Sequence, residues 1–216
     1  RVHKSLYPGI EEDKLDTEQL QALCRGYKQV VEGAVGHFPS DPWEQLHSAI
    51  NAVFESFNTP RARYYRKTNG IPEDCGTAVN VQTMVFGNLG EGSATGVAFT
   101  RDPSTGQNIF FGEWLPNAQG EDVVAGTHTP LALNNDKDAQ ASNTLRASMP
   151  KVYAELDSLQ KRLEAHYRDM QDIEFTVEKG TLYLLQTRTG KRTPAAAVQI
   201  AVDLVTEGVI SEEEAL

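Results

Sequence analysis

The chain has 216 residues, with 20 Lys or Arg against 30 Asp or Glu, a formal charge of −10 that argues against a protein held to nucleic acid by counterion release. Its 39% hydrophobic and 23% charged residues make a globular rather than a disordered composition. Gln199 and Asp203 interrupt the most apolar stretch, so no membrane span is expected. Cys24 and Cys75 are too few for a disulfide framework or a structural zinc site, and point to a reducing compartment. Arg1 in place of an initiator, with no secretory segment after it, suggests a piece of a longer chain.

The first third reads as helical. Asp16 and Gln19 form a capping box, and Leu20, Leu23, Cys24, Tyr27 and Val31 follow at helical spacing until Gly36. Asp41, Pro42 and Glu44 open a second helix carrying Leu46, Ile50, Val53, Phe54 and Phe57. A third segment, residues 60–69, carries Arg61, Arg63, Arg66 and Lys67, which on spacing alone read as a solvated face. The period then becomes twofold: Val79, Val81, Thr83 and Val85 alternate with Asn80, Gln82, Met84 and Phe86, predicting a strand. A Gly-rich stretch, residues 87–96, leads into a strand over 97–100. The turn Asp102-Pro103-Ser104-Thr105-Gly106 precedes another over 108–113, and Gly120-Glu121-Asp122 falls in a loop.

A long helix is expected over 149–169 with Val152, Leu156, Leu159, Leu163 and Tyr167 inward. Strands over 172–177 and 181–187 follow. Thr193 and Pro194 open a last main helix that Gly208 ends, and Ser211 with Glu214 opens one more. Helices first, then strands mixed with a long helix, make an α+β chain with largely antiparallel pairing.

No Walker motif occurs, and Gly90, Gly92 and Gly96 miss the dinucleotide spacing by one residue, leaving a flexible loop able to meet a phosphate. His3, His37, His47, His128 and His166 form no metal-ligand pair on one helix face, and no Ser or Cys sits in a nucleophile elbow. The last hairpin carries more chemistry. Asp172 and Glu174 leave one side of their strand, and Gln186 and Arg188 one side of the next. A two-residue loop at Lys179-Gly180 would pair 178 with 181 and turn Gln186 away from Glu174. A three-residue loop over 178–180 pairs 177 with 181 and 172 with 186, and unites the four groups. Gly180 at the third place suits that loop, as does the resulting apolar side of Ile173, Phe175, Val177, Tyr183 and Leu185. Two carboxylates, an amide and a guanidinium together suit Mg²⁺ and a polyphosphate, through hard oxygen ligands and a planar cation.

The stretches 77–88, 96–106, 117–126, 168–175 and 185–193 closely resemble the pyruvate phosphate dikinase family, which takes in related dikinases. The similarity runs from about Asp41 to the end, with Gly92-Ser93-Ala94-Thr95-Gly96 as a local variation. It implies part of an ATP-grasp nucleotide-binding domain: a helical region over 1–76, a sheet subdomain with the nucleotide and metal site over 77–190, and helices over 191–216 leading toward a phosphohistidine domain. In that family the β-phosphoryl of ATP passes to a histidine on a swivelling domain and the γ-phosphoryl to phosphate. The phosphohistidine then converts pyruvate to phosphoenolpyruvate at a distant barrel.

Carried over by position, Asp172, Glu174 and Gln186 match residues around the metal and phosphates, and Arg188 a phosphate-contacting arginine. Glu121 and Asp122 match further nucleotide-site acids, and residues from Gln82 to Met84 lie near the adenine. The cofactors implied are Mg²⁺ and the substrate ATP; the partners are phosphate, the swivelling domain and a second subunit of a homodimer. The compartments implied are cytosol, plastid or a microbody-like organelle. The Gly-rich N-terminal subdomain, the phosphohistidine segment and the barrel of that family have no counterpart in these 216 residues, so the chain alone is expected to be inactive and to bind nucleotide weakly. A related dikinase (phosphoenolpyruvate synthase, or an antibiotic or glucan phosphotransferase) and a non-catalytic structural piece are the alternatives.

Overall fold

The computed structural model describes residues 2–11, 14–125, 129–134 and 143–216, without the side chains of Val124 and Ala125. The chain forms two compact units, Arg1–Gln82 and Thr83–Leu216.

The first unit is helical: α1 (Val2–Leu6), α2 (Thr17–Val35), α3 (Pro42–Ser56) and α4 (Pro60–Thr68). The capping box forms as expected. The Asp16 carboxylate accepts the Gln19 N–H at 2.9 Å and the Gln19 side chain accepts the Asp16 N–H at 3.0 Å, while Gly36 ends α2 in the left-handed region. Asp41 likewise caps α3 through the Glu44 N–H. The apolar stripe of α2 is only partly covered within this unit: Leu23 is buried, whereas Leu20, Tyr27 and Val31 stay exposed.

In α4, Arg61, Arg63 and Lys67 face solvent, but Arg66 does not. Its guanidinium lies 3.8 Å from the Phe57 ring centroid and donates to the Phe57 carbonyl and to Glu73, which offsets the cost of burying a charge.

The strand expected over 77–86 is absent. Alternation marks a segment fit for a pleated, half-buried surface, and without a sheet edge to pair with it stays irregular; Val81 and Met84 are 67% and 70% exposed.

The second unit is built on an antiparallel sheet of order β3-β2-β1-β4-β5. Its strands are β1 (Ala94–Phe99), β2 (Phe111–Pro116), β3 (Leu131–Ala132), β4 (Gln171–Glu178) and β5 (Thr181–Thr189). The helices are α5 (Gly120–Ala125), where a loop was expected, then α6 (Leu145–Ser148), α7 (Pro150–Tyr167), α8 (Pro194–Thr206) and α9 (Glu212–Ala215). The α+β class read from the sequence is the class observed.

One sheet face packs on α6 and α7 through Ala98, Trp114, Ile173, Phe175, Val177, Leu145, Val152 and Leu156. Gly96 lets β1 approach this core, since a Cβ there would lie 2.5 Å from the Phe175 ring. The inner stripe of α7 holds at Val152 and Leu156, but Tyr167 is exposed and Gln160 is buried in its place. A smaller cluster of Met170, Ala196, Ile200 and Leu204, with Phe99 against it, seats α8 beside the sheet.

Arg101, just past β1, is wholly buried. It donates to Glu164 of α7 at 2.8 Å and to Glu207 after α8 at 2.6 Å, with Asp203 3.9 Å away. Burial acts to lower its affinity for a proton; the hydrogen bonds and charges of Glu164 and Glu207 outweigh that and raise it.

Candidate functional site

The β4–β5 hairpin turns on two residues, not three. Glu178 pairs with Thr181, and Lys179 and Gly180 both lie at positive φ, 48° and 82°, as a type I′ turn needs. This corrects the three-residue loop expected from the sequence. Taken straight through, such a register would have turned Gln186 to the core side. A β-bulge prevents it: Phe175 pairs with Leu184 and Glu174 with Gln186, leaving Leu185 as the extra residue. Asp172 pairs with Arg188, not Gln186. The four polar groups do share a side, but the bulge unites them.

The same bulge reassigns the apolar residues. Leu182 and Leu184 pack against the core, while Tyr183 and Leu185 are 39% and 38% exposed, the reverse of the expected sides.

Arg188 Nε donates to Asp172 Oδ2 at 2.8 Å, and Nη2 lies 3.5 Å from Glu174 Oε1. The hydrogen bond that Arg188 donates to Asp172, then the charge of that carboxylate, raises the proton affinity of the guanidinium. Exposure divides the roles. The Asp172 side chain is 10% exposed and bound to Arg188, whereas Glu174 (38%) and Arg188 (56%) retain open surface for a ligand.

Across the sheet, Val97 stands beside Glu174 and Phe99 beside Asp172, and Glu113 of β2 pairs with Val97. The row Gln186–Glu174–Val97–Glu113 thus ends in an exposed carboxylate that the sequence reading did not single out. Its place two residues from Phe111, on the same side of β2, is the signal that could have found it.

The other expected site residues lie on separate elements. Asp122 is in the first turn of α5, where its carboxylate accepts the Gln119 N–H at 2.8 Å, and Glu121 beside it is exposed. Met84 is exposed on an irregular segment, and Gln82, also exposed, closes the first unit.

The Gly-rich loop is pinned rather than free. The Gly90 N–H donates to Asn117, the Gly92 carbonyl accepts from Gly180, and the Ser93 hydroxyl accepts from Lys179. His128 lies outside the described residues, and among those described no three His, Cys, Asp or Glu cluster as a metal cage. No helix among them is long and apolar enough to cross a membrane.

The family model described as pyruvate phosphate dikinase, AMP/ATP-binding domain, matches residues 14–154 and 147–208. The chain is 52% identical over 214 residues to the pyruvate, phosphate dikinase of Rickettsia conorii, covering 99% of this chain and 24% of that protein. It is 54% identical over 204 residues to the enzyme of Clostridium symbiosum, covering 94% and 22%, and 48% identical over 216 residues to that of Giardia intestinalis, covering 99% and 24%. The chain therefore spans about a quarter of the length of these relatives. With the model matching almost end to end, the chain belongs to the pyruvate phosphate dikinase AMP/ATP-binding domain family.

Proposed function

We propose that the chain supplies the ATP-binding part of a pyruvate, phosphate dikinase, a phosphotransferase that turns ATP, phosphate and pyruvate into AMP, diphosphate and phosphoenolpyruvate. The observation that carries this reading is the common face of Asp172, Glu174, Gln186 and Arg188. The names of the relatives favour this reaction over that of another dikinase.

Mg²⁺ fits the donor set. Glu174 and Gln186, paired across the strands, offer hard oxygens, and Mg²⁺ is commonly held by one or two carboxylates with phosphates completing the shell rather than by a protein cage. When bound, it neutralises charge on the transferring phosphoryl group.

The chain's own residues do the rest. Arg188 turns its exposed guanidinium to the phosphate oxygens by charge-assisted hydrogen bonds. Asp172, holding Arg188 Nε, fixes the direction of that fork. Glu121, Asp122 and residues from Gln82 to Met84 contribute to the nucleoside end. Residues 1–76, 77–190 and 191–216 serve as helical region, sheet subdomain and connection to a swivelling phosphohistidine domain. A homodimer completes the assembly.

The test is the formation of phosphoenolpyruvate by the full-length protein. Glu174→Ala and Arg188→Ala should each lower the rate by about 100-fold or more, as loss of a charge-stabilising group does. Wild-type rates in both variants would overturn the assignment.

A further inference from the structure

Residues 83–87 leave their exposed course at one point. Thr83 and Met84 are exposed, Val85 and Phe86 half-buried and Gly87 buried. At the change, Glu178 Oε2 accepts the Phe86 backbone N–H at 2.7 Å, a bond between residues 92 apart in sequence. It ties residues 83–87 to the end of β4.

The same hairpin turn holds the next stretch of chain as well. Lys179 N–H donates to Ser93 Oγ at 3.1 Å and Gly180 N–H to the Gly92 carbonyl at 2.7 Å. Beyond Phe86 the backbone has no slack, since a Cβ on Gly87 would lie 2.3 Å from the Ala118 carbonyl oxygen. Glu178 therefore fixes where residues 83–86 meet the sheet. It stands four residues along β4 from Glu174, a separation of about 13 Å in a strand.

We propose that Glu178 is a positioning residue for the nucleotide. By tying residues 83–86 to the end of the strand that carries Asp172 and Glu174, it sets the spacing between the base-contacting segment and the phosphate-contacting groups. This rests on the function proposed above. It predicts that Glu178 matters for a ligand with a base and not for the phosphate chain alone.

The experiment is calorimetric titration of the full-length protein with Mg-ATP and, separately, with Mg-tripolyphosphate, which has no base. Glu178→Ala should weaken Mg-ATP about tenfold, the scale of one charge-assisted hydrogen bond, and leave Mg-tripolyphosphate within about twofold. Glu178→Gln should restore most of the loss, because its amide oxygen accepts the same N–H. Unchanged Mg-ATP affinity in Glu178→Ala, or equal weakening of both ligands, would overturn the positioning role while leaving the function intact. A wild-type protein that binds neither ligand would overturn the function and the positioning role with it.

Discussion

Charged side chains in the second unit divide by what surrounds them. Arg101 is sealed between α7 and the end of α8 and meets carboxylates only, so its removal leaves acids without their counter-charge. Arg101→Met should cost about 3 kcal/mol, measured by urea unfolding, since breaking a buried pair from one side is costly even where the pair itself contributes little. Glu207 carries a pH signature. Its hydrogen bond from Arg101, working against partial burial, holds its folded-state value below the ordinary 4.5. The unfolded chain then binds the proton more readily, so this stabilisation is present above about 4.5 and is lost as pH falls through the lower folded value. Glu207→Gln should show a shallower fall of melting temperature with acid than the wild type; equal slopes would refute the linkage. Neither this arginine nor Arg66 was legible in the sequence as a buried cation. Their carboxylate and aromatic partners are set by tertiary packing, whereas caps such as Asp16 and Asp41, whose partners lie three residues away, were read directly.

Among the elements, the β4–β5 hairpin shows how one residue decides a site. Side-chain direction in a strand has period two, so a single extra residue moves everything beyond it to the other face. Leu185 is that residue. Deleting it should close the bulge while keeping the pairs Phe175–Leu184 and Glu174–Gln186, so Gln186 and Arg188 stay on the polar side and Mg-ATP binding survives, with circular dichroism still showing the sheet. Loss of binding with the sheet intact would show that the cross-strand register is not what unites the groups. The sequence reading reached the right grouping by the wrong turn, because a loop one residue longer and a two-residue loop followed by a bulge give the same parity. The alternation over 77–86 misled in another way: a twofold pattern reports fitness for a sheet, and the structure offers that segment no strand neighbour among the described residues. Helices over 17–35, 42–56 and 194–206 were legible because caps and end signals agree with the helix each opens, and that over 150–167 from its apolar periodicity alone.

For the molecule as a whole, α7 covers one face of the sheet and the other carries the polar row. The central claim is that this second face receives the phosphates of a nucleotide–metal complex. The α+β class and the family were legible from long motifs; the bulge that builds the face was not. The most direct test uses Mn²⁺-ATP as a paramagnetic probe of the chain's amide NMR spectrum, where even weak binding broadens nearby resonances. The account predicts that Asp172, Glu174, Gln186 and Arg188 broaden first, that Leu156 on the opposite side is spared, and that Glu174→Ala removes the effect. Broadening that begins at α7, or that persists unchanged in Glu174→Ala, would contradict it.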